Sequence, residues 1–241
     1  MATFVLVHGA WHSGRELELT ASIMRNSGHL VLTPTLMGNG PEDAKTVGLE
    51  DAIQSLLNYI EENKLSDIVL AGHSFGGFII TAVADRMPAR IRRLIYWNAF
   101  VPHNGESQCD LMPPHYVAMF DANYAERGDG SVTVSFPVWR DVFMNDADLE
   151  TATRTYRLLN PHPYKTFTDK VSLSADPAAM QIPKSYINCM DDTGLPQSFG
   201  WHPRLSERLG LFRLIQIPGG HELCFSDPPR LAQALLDAGR D

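Results

Sequence analysis

The strongest chemical motif in the chain is Gly72-His73-Ser74-Phe75-Gly76, which fits the pattern G-x-S-x-G. A five-residue pattern often matches by chance, so the flanking residues decide whether the motif is functional. An apolar run at 68–70 precedes the motif, and a second one at 78–84 has helical length. A strand that turns sharply into a helix holds the middle serine strained, with its hydroxyl exposed. A β-carbon on a flanking glycine would collide across that turn. The stretch therefore predicts a nucleophilic Ser74.

A serine hydroxyl is a poor nucleophile at neutral pH unless a base takes its proton. His221 follows a strand-like run and two glycines, so it can swing over Ser74. The imidazole in turn needs a carboxylate that fixes its tautomer. Asp191 and Asp192 both follow the preceding strand-like run, and the residue pattern alone leaves both open. The chain order Ser, Asp, His is that of the α/β-hydrolases.

Backbone N–H groups must stabilise the oxyanion that forms in such a reaction. The first strand-like run ends in His8-Gly9-Ala10-Trp11-His12, a loop of small residues at its start. We predict that the N–H groups of Ala10 and Phe75 form the oxyanion hole. The two histidines of the loop are expected to serve in packing and hydrogen bonding.

Strand and helix patterns alternate around these residues. We predict strands at 3–7, 29–34, 68–70, 91–99, 184–189 and 212–217, and helices at 15–26, 49–62, 78–84 and after Ser226 or Asp227. This alternation predicts an α/β fold with a parallel sheet that is covered on both faces. Ligands of such sheets bind at the carboxyl ends of the strands, where the candidate residues stand.

The alternation breaks between 101 and 183, where prolines cluster and only a short strand at 132–136 and a polar helix at 147–158 are predicted. We expect a lid that is inserted after a strand, giving a core of 1–102 and 183–241 and a lid of 103–182. Part of its apolar content should line an apolar pocket. The expected pocket residues are Trp11, Phe100, Met119, Phe120 and Trp139.

The composition limits the class of protein. The chain has 241 residues, enough for one domain with an insertion, and a net charge of −8, which disfavours nucleic acid as a partner. No apolar run is long enough to span a membrane. The first residues lack the basic stretch of a signal peptide, and three widely spaced cysteines lack zinc spacing. A cytoplasmic protein with reduced thiols and without a metal is expected.

The chain resembles the plant methylesterase and hydroxynitrile lyase group of α/β-hydrolases and its bacterial carboxylesterase relatives. The resemblance spans nearly the whole chain and rests on FVLVHGAWH at 4–12, GHSFGG at 72–77, AFVP at 99–102, YINCMDD at 186–192 and GGH at 219–221. In that family the acid commonly stands three residues after a cysteine that ends the strand. The resemblance therefore implies Asp192, with Asp191 as the fallback.

Departures from the family pattern bear on the chemistry. The lyases of this group carry lysine where this chain has Glu222, and threonine where it has Ala10, so both positions favour an esterase. Some cofactor-free dioxygenases place their acid near the position of Asn98, which is neutral here. Phe75 replaces the usual leucine and is expected to narrow the pocket.

The sequence thus predicts a cofactor-free serine hydrolase acting on a small hydrophobic carboxylic ester or a related carbonyl compound. Two alternatives stay open: a cofactor-free lyase or dioxygenase on the same fold, and a non-catalytic ligand receptor. The oligomeric state is open as well, with a homodimer among the alternatives.

Overall fold

The computed structural model describes residues 1–240, which form a six-stranded parallel sheet with helices on both faces. The main sheet contains β1 (Thr3–Val7), β2 (Leu30–Leu32), β3 (Ile68–His73), β4 (Ile91–Trp97), β7 (Lys184–Cys189) and β8 (Arg213–Ile217). A two-stranded antiparallel ribbon contains β5 (Ser131–Val132) and β6 (His162–Pro163).

Ten α-helical segments are found in residues 1–240: α1 (Glu18–Asn26), α2 (Leu49–Glu62), α3 (Gly76–Arg86), α4 (Gln108–Leu111), α5 (Pro114–Arg127), α6 (Phe136–Val138), α7 (Leu149–Tyr156), α8 (Lys165–Thr168), α9 (Leu223–Ser226) and α10 (Pro228–Ala238). Short 3₁₀ or π turns occupy Gly14–Leu17, Pro88–Arg90, Trp139–Phe143, Pro177–Ala179, Gln197–Phe199, Trp201–Leu205 and Ser206–Leu209. Within the described part of the chain, no helix is long and apolar enough to cross a membrane.

The strand order β2-β1-β3-β4-β7-β8 creates a crevice at one end of the sheet. The chain leaves β1 toward one side to form β2, and then crosses back to form β3 on the other side of β1. The loops that follow β1 and β3 therefore diverge at the carboxyl ends of these strands. Ligands of open α/β sheets bind at such a point.

Two apolar layers hold the helices against the sheet. Side chains alternate along each strand, so Val5 and Leu70 face one layer while Phe4 and Val69 face the other. The first layer includes α2, α3 and much of the segment between β4 and β7; the second includes α1 and α10. The sheet is therefore buried on both faces, as its nearly continuous apolar strands predict.

The α/β fold predicted from the sequence is confirmed, with differences at the ends of elements. The predicted bounds of β1, α2 and β7 agree with the structure to the residue. Strand β2 is shorter than predicted, because its pairing with β1 covers only Leu30–Leu32. The strand predicted at 132–136 pairs only through Val132, since α6 begins at Phe136 with a proline in its first turn.

The segment between β4 and β7 contains a 14-residue helix, α5, that the sequence analysis missed. Prolines at 113 and 114 suggested a break, yet a proline in the first turn suits a helix because its missing N–H would have had no partner there. Helix α5 ends at Gly128, which has a left-handed backbone with φ of 66°. The division into a core and a lid at 103–182 stays a prediction.

Candidate active site

Ser74 stands at a sharp turn between β3 and α3. Its φ of 50° lies in the left-handed region, which is rare for a residue with a β-carbon. Glycines make the turn possible: a β-carbon on Gly72 would lie 2.7 Å from the carbonyl oxygen of Gly76, and one on Gly77 would lie 2.0 Å from that of Phe100. The strand and the helix thus approach closely only because these side chains are absent.

His221 is hydrogen-bonded to a buried carboxylate. Its Nδ1–H donates to Asp192 Oδ2 over 2.6 Å, and the two side chains are 2% and 0% exposed. Burial lowers the pKa of His221, but the Asp192 charge and hydrogen bond outweigh it, so the pKa is raised above its ordinary value. Because Nδ1 carries the proton, Nε2 is the nitrogen that can accept one.

Asp192 is held by two further donors. The backbone N–H of Gly194 donates to its Oδ1 over 2.6 Å, and the side-chain amide of Asn98 donates to its Oδ2. Asn98 has a φ of 36° and also accepts from the backbone N–H of Cys189 over 2.7 Å. It fixes the carboxylate from the neighbouring strand end. In the sequence Asn98 is notable only as a neutral residue where some relatives carry an acid, but its place beside the end of β7 is consistent with this role.

Asp191, the fallback acid, has a different environment. It accepts a hydrogen bond from the backbone N–H of Gly219 over 2.8 Å. Gly220 donates in the same way to Asp146 over 2.7 Å. These carboxylates anchor the loop that carries His221, and the structure brings Asp192 rather than Asp191 to the imidazole.

His221 is also tethered to the turn that carries Ser74. The Nε2–H of His73 donates to the backbone carbonyl of His221 over 3.0 Å, and the two rings lie 4.6 Å apart between centroids. Within residues 1–240, no hydrogen bond joins the Ser74 hydroxyl to His221. Such bonds are often long in enzymes without substrate and shorten in the complex.

The loop after β1 packs directly against this turn. A β-carbon on Gly9 would lie 3.3 Å from the β-carbon of Ser74, and Ala10 shares a cavity wall with Ser74. Phe75 immediately precedes α3, where N–H groups have no partner inside the helix. Its ring does not narrow the cavity, contrary to expectation; it is fully buried against His162, with centroids 4.9 Å apart.

The cavity beside Ser74 is lined mostly by apolar side chains. Three of the five expected pocket residues, Trp11, Phe100 and Phe120, line it. The full lining is Ala10, Trp11, Ser74, Phe100, Gln108, Met112, Tyr116, Phe120, Phe143, Gly194, Leu195 and Trp201. Its apolar and aromatic lining suits a hydrophobic organic ligand.

Met119 and Trp139, the other two expected pocket residues, are not among the residues that line this cavity. Tyr116 and Phe120 are four residues apart on α5 and present one face to the cavity, whereas Met119 packs elsewhere against the core. Trp139 is fully buried, and its indole N–H donates to the backbone carbonyl of Ala152 over 3.2 Å. It supports the wall from behind through Phe143, with ring centroids 6.2 Å apart.

A buried ion pair lies next to His221. Nε2 of His12 is 3.1 Å from Oε2 of Glu222, and both side chains are at most 3% exposed. Burial raises the pKa of Glu222, but the positive charge of His12 outweighs it and lowers that pKa to about 2. The pKa of His12 is raised, since attraction to Glu222 exceeds the effect of burial. The sequence predicts packing and hydrogen bonding for His12, but it does not indicate Glu222 as the partner.

The other loop histidine, His8, is neutral and structural. It is fully buried, and burial lowers its pKa to about 4. The backbone N–H of Leu36 donates to its Nε2 over 3.1 Å, and its Nδ1 lies 2.8 Å from the carbonyl of Gly9. Both ring nitrogens are therefore used to hold the loop, as expected for a packing role.

His73, His221 and Glu222 are the one group in the described chain that could be considered for a metal ion. Their candidate ligand atoms are spread over up to 4.8 Å, which is wide for the first shell of a tetrahedral zinc ion. Each residue already has a partner. His73 bonds to the carbonyl of His221, the His221 ring bonds to Asp192, and Glu222 pairs with His12. The arrangement fits hydrogen bonding better than metal binding.

Comparison with known proteins gives this geometry a family context. The model of a family described as "Alpha/beta hydrolase family" matches residues 4–234. A carbendazim hydrolyzing esterase from Nocardioides sp. (strain SG-4G) is 34% identical, over 99% of this chain and 100% of its own length. Salicylic acid-binding protein 2 from Nicotiana tabacum is 24% identical, over 97% of this chain and 95% of its own.

One solved structure is very similar over the whole chain. It is described as an extracellular alpha/beta-hydrolase from a Paenibacillus species that shares structural and functional homology with tobacco salicylic acid binding protein 2. It superposes with a TM-score of 0.97 at 37% identity and covers 100% of both chains. A methylesterase from Arabidopsis superposes with a TM-score of 0.80 at 22% identity, over 99% of this chain and 98% of its own, a likeness of fold.

Proposed function

Because this chain belongs to the alpha/beta hydrolase family, we propose that it hydrolyses a small carboxylic ester through Ser74, His221 and Asp192. The observation that carries the proposal is the buried Asp192–His221 pair beside a serine with φ of 50° on a cavity wall. A relative with 34% identity that is named an esterase agrees with this chemistry.

In the first half of the proposed reaction, Ser74 Oγ attacks the ester carbonyl while Nε2 of His221 takes its proton. The carbonyl oxygen becomes an oxyanion, which the N–H groups of Ala10 and Phe75 stabilise. His221 then gives the proton to the leaving alcohol oxygen, and an acyl-enzyme remains on Ser74. Asp192 stabilises the imidazolium throughout.

In the second half, a water molecule gives its proton to His221 and attacks the acyl carbonyl. The tetrahedral intermediate collapses, the proton returns to Ser74 and the carboxylic acid leaves. His221 must be unprotonated to start each half. Its pKa is raised by Asp192, so kcat/KM should fall as the pH drops through that pKa.

Ser74→Ala tests the proposal directly. The variant should lose at least about a thousandfold in kcat on p-nitrophenyl acetate, because no acyl-enzyme can form. Ser66→Ala, at an exposed serine before β3, is the matched control and should retain the parent rate. A fluorophosphonate should label the parent on the peptide that contains Ser74. Hydrolysis by Ser74→Ala at the parent rate would exclude the acyl-enzyme.

Product analysis separates the alternatives that the sequence left open. Hydrolysis releases one acid and one alcohol per ester, a lyase releases a carbonyl compound, and a dioxygenase consumes oxygen. A receptor would bind without turnover. The lyases of the group carry lysine at the position of Glu222. In this chain Glu222 pairs with His12 and does not line the cavity, so it offers no positive charge to a ligand there.

The cellular location is a separate part of the proposal. We place the protein in the cytoplasm, whereas the Paenibacillus relative is described as extracellular. Esterase activity in the washed-cell lysate, absent from the medium, is the expected result. Activity in the medium of intact cells would contradict it.

A further inference from the structure

One segment of the chain contacts both loops that carry the proposed catalytic pair. It spans residues 139–146, between β4 and β7, and is called the strap below. The acid loop, at 190–194, carries Asp192, and the base loop, at 218–222, carries His221. These loops follow β7 and β8, which are neighbours in the sheet, whereas the strap comes from an earlier part of the chain. The strap can therefore fix one loop relative to the other.

Two hydrogen bonds join the strap to the acid loop. The side-chain amide of Asn145 donates to the backbone carbonyl of Asp191 over 2.8 Å. The hydroxyl of Thr193 donates to the backbone carbonyl of Val142, also over 2.8 Å. Because Asp191 and Thr193 flank Asp192 along the chain, the strap holds the backbone on both sides of the acid.

A carboxylate of the strap holds the base loop. Oδ2 of Asp146 accepts from the backbone N–H of Gly220 over 2.7 Å and from the hydroxyl of Ser226 over 2.8 Å. Gly220 directly precedes His221, so this bond fixes the backbone from which the imidazole projects. The strap also contacts the imidazole itself, since the rings of Phe143 and His221 lie 5.4 Å apart between centroids.

The glycine at position 220 gives independent support for this close approach. A β-carbon there would lie 2.6 Å from Oδ1 of Asp146 and 2.9 Å from Oδ1 of Asn145. Gly219 has a φ of 131°, which favours glycine, but Gly220 has no left-handed φ that would require it. The strap, rather than the backbone conformation, therefore excludes a side chain at Gly220.

We propose that Asn145 and Asp146 are positioning residues, which keep the carboxylate and the imidazole of the catalytic pair in contact. This inference rests on the proposed function. Both side chains are exposed, and neither lines the cavity beside Ser74, so they act through the two loops and not on the ligand. A displacement of about 1 Å in a catalytic group can cost about a hundredfold in rate. Loss of an anchor should therefore lower kcat and change KM little.

Substitutions of Asp146 separate the lost hydrogen bonds from a general loss of structure. In Asp146→Ala we expect kcat on p-nitrophenyl acetate, per site titrated with a fluorophosphonate, to fall at least about tenfold, with KM within about twofold of the parent. Asp146→Asn keeps an oxygen for the N–H of Gly220 and should retain at least about a third of the parent kcat. Asp141→Ala is the matched control on the same strap, since that exposed carboxylate faces Arg140, and it should keep the parent kcat and KM.

The acid loop has its own test. Asn145→Ala removes the donor to the carbonyl of Asp191 and should lower kcat per titrated site at least about threefold, again with little change in KM. Asn58→Ala, the same change at an exposed position on α2, is the control and should retain the parent kcat.

A second measurement does not depend on turnover. The proton that Nδ1 of His221 donates to Asp192 should give a proton NMR signal far downfield, which His221→Gln abolishes. In Asp146→Ala the base loop has lost its anchor, so this proton should exchange faster with water and its signal should broaden. Asp146→Asn and Asp141→Ala should keep the signal of the parent.

The outcomes separate this inference from the esterase proposal. A signal that broadens in Asp146→Ala and is kept in Asp146→Asn supports the inference even if the parent hydrolyses no ester, a result that would contradict only the proposed function. A parent-like kcat and signal in both Asp146→Ala and Asn145→Ala overturn the inference and leave the esterase proposal intact. Equal losses of kcat in Asp146→Ala and Asp146→Asn overturn it as well, because the hydrogen bond to Gly220 would then have no part in the effect.

Discussion

The buried pair of His12 and Glu222 yields a quantitative prediction for Glu222→Gln, which keeps the shape of the side chain and removes its charge. Oε2 of Glu222 is 3.1 Å from Nε2 of His12, and the thiol of Cys224 donates to it over 3.8 Å. His73 and His221 face the same carboxylate, and Glu16 acts on His12 from the loop after β1. These groups lie on three segments: the loop after β1, the end of β3 and the loop and helix after β8.

The magnitude follows from the pKa of Glu222, which falls from its ordinary value of 4.5 to about 2 in the folded protein. One pKa unit corresponds to about 1.4 kcal/mol, so ionisation of Glu222 stabilises the fold by roughly 3 kcal/mol. Because folding lowers the pKa of Glu222, its ionisation stabilises the fold fully above pH 4.5, and this stabilisation is lost as the pH falls toward 2. Because folding raises the pKa of His12, its protonation stabilises the fold fully below pH 6.5. This stabilisation is lost as the pH rises through the pKa that His12 has in the folded protein.

The two windows overlap between about pH 4.5 and 6.5, so Glu222→Gln should be most destabilising there. At pH 5.5 we expect a loss of about 3 kcal/mol in the free energy of unfolding, seen in urea titrations, and a fall in Tm of roughly 6–12 °C. The loss should shrink at higher pH, where His12 becomes neutral. Glu61→Gln, at an exposed position on α2, is the control and should change the free energy by less than about 0.5 kcal/mol.

Catalysis gives a second readout of the same substitution. Glu222 raises the pKa of His221, so its replacement should move the acidic limb of the kcat/KM profile to lower pH. A double-mutant cycle with His12→Asn should show a coupling energy above about 1 kcal/mol, because the two residues are in contact. The reasoning is refuted if Glu222→Gln costs no more than Glu61→Gln at pH 5.5, or if the acidic limb stays in place.

Two further predictions concern the elements that hold the site. Asn98→Asp would place a second carboxylate against Asp192, so its kcat/KM relative to the parent should decline as the pH rises and both acids ionise, as a paired pH–rate profile would show; a constant ratio would contradict this. Gly77→Ala should lower the free energy of unfolding by at least about 2 kcal/mol, because its β-carbon would lie 2.0 Å from the carbonyl oxygen of Phe100. At Gly128 a β-carbon would meet open space, so Gly128→Ala should cost only the about 1 kcal/mol of its left-handed φ. An equal loss of unfolding free energy for both variants in urea titrations would refute the steric argument.

Much of the fold could be predicted because it depends on local periodicity. The apolar runs of β1 and β7 and the spaced apolar face of α2 gave bounds that agree with the structure. Helix α5 was not predicted, because its apolar residues form no single stripe along the helix and the two prolines at its start resemble a break between elements. A helix that is fixed by tertiary contacts does not need the local pattern that makes other helices recognisable.

The lining of the cavity shows the same limit at the level of side chains. Aromatic residues in the segment between β4 and β7 were expected to form it, and Phe120 does. Met119 and Trp139 are apolar as well but do not line the cavity. Met119 is one helical position from Phe120, and one position turns a side chain by about 100°. Composition alone could not distinguish them.

The sequence by itself determined the turn around Ser74, because the glycines and the flanking apolar runs act within a few residues of one another. Tertiary structure alone decided which carboxylate meets His221, that Asn98 holds it, that His12 pairs with Glu222, and which side chains line the cavity. These contacts join residues as far as 210 positions apart, and no local period records them. They depend on the order in which the parallel strands are laid side by side, which brings distant loop ends to one edge of the sheet.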